Sequence, residues 1–408
     1  MSIERTVITA AWASLLAVAV AGCASRVPTQ RPTSAETARV SPVTQTVGDS
    51  LDAILARALA DSAFPGAVAV VGLSDTVIVR AVGRLDAEDP AAPTIDETLW
   101  DLASLTKVVA TTSALMQLVS SGSVALDEPV RRYLPEWTAP GSEAVTVRHL
   151  LTHSGGLPAW RPLHKEAPDS PAAALALALS TPLDTVAGVR YVYSDVGAIV
   201  LGKLVERVSG MPLDVYLAQR LWAPLGMSRT SFKPAVSQRA FAAPTEYDPW
   251  RQRKMRGEVH DENAYALGGV SGHAGLFSTG DDLARFARAL LDGRLPGVSA
   301  ATFREFTRRQ DSTLSHRALG WETATGSNSA GSRMSARAFG HTGFTGTSLW
   351  VDPSHGVFVV LLTNRVNPTR ENRRIGAVRV RLADAVLGTL QVAGQDAAAN
   401  SSPLTPAP

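Results

Sequence analysis

Val108, Thr112, Leu115, Met116 and Val119 recur at three- and four-residue steps, the mark of one helical face. Leu51, Ile54, Leu55, Ala58 and Leu59 make a second stripe, which predicts an amphipathic helix broken by Pro65-Gly66. Residues 67–71 and 76–82 are β-type runs joined by Gly72-Leu73-Ser74-Asp75, a hairpin pattern. Far along the chain, 348–351 and 357–362 flank Asp352-Pro353-Ser354-His355-Gly356, which has the chemistry of a turn. Helices are predicted over 171–180, 199–209, 281–291 and 372–387, and residues 245–280 read as long, polar and glycine-rich. Strands near both ends with helices between them predict one α+β domain whose two ends build a single antiparallel sheet.

The ends of the chain differ from its body. Arg5 precedes a nearly unbroken apolar run from Val7 to Ala21, the form of an export signal and too short for a membrane span. The run closes on Val20-Ala21-Gly22-Cys23, which resembles a bacterial lipobox, and Cys23 is the single cysteine. Residues 1–23 are therefore expected to be a lipoprotein signal. Cys23 would be the lipidation site, anchoring the exported protein to a bacterial membrane, periplasmic or on the outer surface. Residues 24–46 read as a flexible tether and 391–408 as a disordered tail, leaving 47–390 as the folded domain. One cysteine excludes an intramolecular disulfide and weighs against a cysteine-based metal site. A net charge of +2 gives no reason to expect nucleic acid as a partner. No phosphate-cradling Gly-x-x-x-x-Gly-Lys loop or His-Glu-x-x-His occurs, and neither cofactor nor metal is expected.

Candidate chemistry starts at Ser104 and Lys107. Three residues apart at a helix start, they lie on one face and can touch. A hydroxyl needs a base to become a nucleophile. A lysine with its ordinary pKa near ~10.4 is protonated and cannot be that base, but burial at a helix N-terminus can lower it. Tyr193-Ser194-Asp195 offers a phenol able to relay a proton and a carboxylate able to hold a lysine; Asp195 would equally cap a helix beginning near Val196. His341-Thr342-Gly343-Phe344 precedes the last hairpin, and a glycine there lets a strand edge approach a substrate while a backbone N–H meets a carbonyl oxygen.

In this order, Ser-x-x-Lys, Tyr-x-Asp and His-Thr-Gly resemble the motifs of the serine β-lactamase and penicillin-binding protein superfamily. The likeness spans about residues 50 to 388 and is nearest to the class C-like branch of D-aminopeptidases, esterases and penicillin-binding protein 4B types. It takes in the run at 146–157 and that from Asp261 through His273 to Ser278. It implies a β-lactamase/transpeptidase-like fold, with flanking helices and an all-helical subregion beside the sheet. By resemblance Ser104 is the acylated nucleophile, and Lys107 and Tyr193 share the roles of general base and proton relay. Backbone N–H groups of Ser104 and Phe344 form the oxyanion hole, and Asp195, His341, Thr342 and Gly343 line the substrate. Asp195 stands where the family usually has Asn, and His341 where β-lactamases usually have Lys. His149 and His153 read as structural. The expected substrates are esters or D-amino-acid peptides of the cell envelope, with β-lactam hydrolysis and non-catalytic binding as the alternatives.

Overall fold

The computed structural model describes residues 41–400, apart from 74–75 and 327. The signal segment, Cys23, residues 24–40 of the tether and 401–408 of the tail lie outside the described residues. Five helices carry the argument below: α1 Pro42–Ala60, α2 Ser113–Ser120, α3 Asp195–Ser209, α4 Gly280–Leu291 and α5 Ile375–Asn400. The large sheet has seven strands: β1 Gly66–Gly72, β2 Val77–Asp86, β3 Asp89–Pro93, β4 Glu322–Thr323, β5 Phe339–Thr342, β6 Ser348–Asp352 and β7 Val357–Thr363.

Both expected hairpins form, with Gly72 opposite Val77 and Asp352 opposite Val357. They then join each other, because β1 pairs antiparallel with β7 and sets Val68 opposite Leu362. The spatial order is β3-β2-β1-β7-β6-β5-β4, antiparallel throughout. Side chains alternate across β1. Ala67, Ala69 and Val71 pack with Leu51 and Leu55 of α1 and Val378 and Leu382 of α5, while Val68 and Val70 face Leu283 and Phe286 of α4 on the other side. The terminal helices thus cover one face of the sheet, and the other packs on α4.

Three expectations shift. α1 begins at Pro42, inside the stretch read as tether, because Ser41 caps it and Pro42 supplies a first-turn residue with no N–H to satisfy. α5 runs through Asn400, beyond the predicted end at 387 and into the expected tail. The stripe from Val108 to Met116 is not a stripe in space. Every residue from Lys107 to Leu118 is buried, first in a π-helical turn, Lys107–Thr112, and then in α2. A helix buried on all sides sits at the centre of a domain, and this one carries Lys107 into the core.

Candidate active site

The loop before α2 holds Ser104 by backbone strain. Ala103 has φ +46°, a left-handed value that costs a residue with a Cβ about 1 kcal/mol or more. Asp101 holds it there: Oδ1 accepts the Ala103 N–H at 2.8 Å, and Oδ2 accepts the His260 N–H at 2.7 Å. Burial pushes the Asp101 carboxyl up, against the two N–H bonds that oppose the shift. Ser104 faces a cavity of about 470 Å³ lined also by Tyr193, Asp195, Asp261, Phe344 and Arg370.

Lys107 donates two hydrogen bonds and forms one ion pair. Nζ lies 3.0 Å from Ser104 Oγ, 3.0 Å from the His273 carbonyl and 2.8 Å from Asp195 Oδ1. Burial alone would lower its pKa. The charge on Asp195, helped by the Tyr193 oxygen, overturns this and raises it above the ordinary lysine value. The sequence left Lys107 open as a resting base; in this arrangement it is an ammonium.

Tyr193 stands over that ammonium, its ring centroid 5.0 Å from Nζ. The ring is wedged between His153 at 4.6 Å, His341 at 6.0 Å and the guanidinium of Arg317 at 5.3 Å. His153 is structural, as expected, and what it supports is the Tyr193 loop: Nδ1 accepts the Ser194 N–H at 3.1 Å and its carbonyl accepts the Val192 N–H at 2.8 Å. His149 closes a capping box with Thr146. Asp195 is not the cap of α3. Ser194 takes that place, accepting the Gly197 N–H at 3.1 Å, which leaves the Asp195 carboxylate to Lys107.

The turn after β5 is tied to the Ser104 loop. Thr345 Oγ1 donates to the Asp101 carbonyl at 2.7 Å, and Thr347 Oγ1 to the Leu102 carbonyl at 2.9 Å. Gly343 fills the gap: a Cβ there would lie 2.1 Å from Thr347 Oγ1 and 2.4 Å from the Leu102 oxygen. Two arginines that the sequence did not single out clamp the turn. Arg379 donates to the carbonyls of Gly343 and Thr347 at 2.8 and 2.7 Å, and Arg365 donates to that of Phe344 at 2.8 Å while lying 4.4 Å over its ring.

Of Phe344, His341, Thr342 and Gly343, only Phe344 lines the cavity. His341 lies buried beneath it, with Nδ1 donating to the Thr342 carbonyl at 2.8 Å and Nε2 without a partner among the described residues. Burial, then the charges of Arg317 and Lys107, hold its pKa well below the ordinary histidine value. The partial positive charge expected here at neutral pH is absent; the ring is neutral.

A family model described as Beta-lactamase matches residues 51–383. The chain belongs to the β-lactamase family. As a member it is an enzyme of the serine hydrolase kind. A protein of Escherichia coli O157:H7, provisionally named D-alanyl-D-alanine carboxypeptidase, is 32% identical over 89% of this chain and 91% of its own. An N-acetylmuramyl-L-alanine amidase of Bacillus subtilis (strain 168) is 34% identical over 77% of this chain and 80% of its own. Two solved structures share the β-lactamase-family fold. EstCE1, a hydrolase with promiscuous acyltransferase activity, superposes with a TM-score of 0.69 at 23% identity, over 84% of this chain and 99% of that one. A penicillin-binding protein homologue from Caulobacter crescentus gives 0.69 at 22% identity, over 84% and 97%.

Proposed function

We propose that this chain is an exported serine hydrolase that forms an acyl-enzyme on Ser104 and cleaves esters or D-amino-acid peptides of the cell envelope. The observation that carries the reading is the 3.0 Å contact from Lys107 Nζ to Ser104 Oγ at the edge of an open cleft. Because the serine oxygen accepts that hydrogen bond, its own proton is free to leave in another direction. Tyr193 relays it, its oxygen taking the serine proton as its own hydroxyl proton moves on, and the fixed charge of Lys107 stabilises the oxygens during transfer. Ser104 Oγ then bonds to the substrate carbonyl carbon, and the N–H groups of Ser104 and Phe344 meet the charge on the carbonyl oxygen. The proton passes from Tyr193 to the leaving alcohol or amine as the old C–O or C–N bond breaks. Water repeats the sequence and frees the acid.

The names of the curated relatives support an envelope peptide as substrate. The apolar run at 7–21 and Cys23 support export and a lipid anchor. A panel of a neutral ester, a D-Ala-D-Ala peptide and a chromogenic penicillin, run on the soluble domain, tests the reading. Turnover of the ester or the peptide is expected; turnover of the penicillin alone would replace it with a β-lactamase, and turnover of none with a binding protein.

A further inference from the structure

The ammonium of Lys107 is held by three oxygens, and the third belongs to a main-chain carbonyl. Ser104 and Asp195 stand on helical starts. The His273 carbonyl stands on the stretch between the short helix Glu262–Ala266 and the strand Leu276–Ser278. That stretch contains Gly268, Gly269 and Gly275 at φ +85°, +82° and +109°. Glycines confer backbone freedom, and a carbonyl placed among them has no fixed direction unless something outside the backbone sets it.

The His273 side chain supplies that constraint. The ring is buried, and both its nitrogens are engaged: Nδ1 lies 2.8 Å from Ser271 Oγ and Nε2 2.8 Å from Asp261 Oδ1. The same Asp261 oxygen accepts the Ala264 N–H at 2.8 Å as cap of the short helix, so the anchor is itself anchored. With Asp261 ionised, held below the usual carboxylate range despite burial by its pairing with His273, Nε2 donates to its carboxylate, and Nδ1 shares a hydrogen bond with the serine hydroxyl. Next to it, the Gly272 carbonyl accepts from Thr111 Oγ1 on the nucleophile helix at 2.8 Å, and a Cβ on Gly272 would sit 2.1 Å from the Ala198 oxygen of α3. The segment is thus threaded between α3 and the π-helical turn, and the histidine fixes its face toward the cleft.

We propose that His273, locked by Asp261 and Ser271, is a positioning residue: it aims its own carbonyl at Lys107 and so sets where the ammonium meets Ser104. This rests on the acyl-enzyme reading above. A displacement of 1 Å at such a group costs on the order of a hundredfold in rate.

The test measures acylation by a fluorophosphonate and kcat and KM for a neutral ester in wild type, His273→Ala, His273→Gln and Ser271→Ala, each rate divided by the titrated number of reactive serines. Glutamine keeps a donor at the Nε2 position. His273→Ala should lose about ten- to a hundredfold in acylation and kcat per reactive serine with KM nearly unchanged, and His273→Gln should recover most of that loss. Ser271→Ala, the mildest change and the one expected to fold in any case, should fall by about threefold to tenfold in the same parameter. A purely structural histidine would lower the count of reactive serines and leave the rate of each at the wild-type value; that result in His273→Ala, or in Ser271→Ala if His273→Ala does not fold, overturns the proposal. No labelling of wild type would instead overturn the acyl-enzyme reading.

Discussion

Asp195 Oδ1 lies 2.8 Å from Lys107 Nζ, and no other carboxylate among the described residues pairs with that ammonium. The contact decides the ionisation of the site. Asp195→Asn removes the charge that keeps Lys107 protonated and leaves the burial that opposes it. The variant lysine should show a titration inflection lower than that of wild type. If Tyr193 is the base and the ammonium its support, kcat/KM of the variant falls as pH rises through that inflection. A rise would make the neutral lysine the base. In wild type the raised pKa makes the stability of the pair complete below the unfolded value near ~10.4 and lost only as pH climbs above it.

Ser104→Ala should abolish turnover and covalent labelling while keeping the fold, since a methyl group fits where a hydroxyl did. Intact-mass measurement after a fluorophosphonate or penicillin probe should give an adduct on wild type alone. Labelling of the alanine variant at the wild-type rate would remove Ser104 from the mechanism.

His341→Lys places an ammonium where the neutral ring lies buried near Arg317 and Lys107. The ratio of kcat/KM for a penicillin to that for a neutral ester should rise, by about tenfold for each 1.4 kcal/mol of differential transition-state stabilisation. Thermal stability should fall at the same time, because a further cation joins Arg317, Lys107 and Arg379. An unchanged ratio would show that His341 does not set charge preference.

His153 and His341 are both buried, with pKa values well below the ordinary histidine value, chiefly through burial. The unfolded chain therefore binds protons that the folded one refuses, and stability falls as pH drops below ~6.5. Each adds to that loss as pH falls through the unfolded histidine range. Urea unfolding at pH 7.5 and 5.5 should show a smaller acid loss in His341→Asn than in wild type. Equal losses would mean that His341 keeps its proton when folded.

Cys23→Ala should lose metabolic palmitate label and membrane association in a bacterial host. Equal label on both proteins would rule out the lipobox.

Much of this was legible in the sequence because it is local. Both hairpins follow from β-type runs bounded by turn residues, and Ser104 and Lys107 are neighbours on one helical turn. What surrounds them was hidden by distance along the chain. Nothing near Lys107 says that a main-chain carbonyl at His273 is its third acceptor, and a carbonyl carries no sequence signal at all. Asp195 read equally well as a helix cap until Ser194 was found in that place. Arg365 and Arg379 look like ordinary surface arginines, and only the packing of α5 and the end of β7 turns them onto the carbonyls of the turn. The positive φ at Ala103 is likewise unannounced, since alanine does not favour it.

The pairing of β1 with β7 has a temporal side. The first strand to be synthesised is completed by the last, so the sheet remains open at its middle until nearly the whole chain is available. Such distant pairing slows folding relative to local contacts. The Ser104 loop and the turn pinned to it also come from opposite sides of that late closure. A partly made chain therefore carries Ser104 and Lys107 without the Phe344 edge of the cleft.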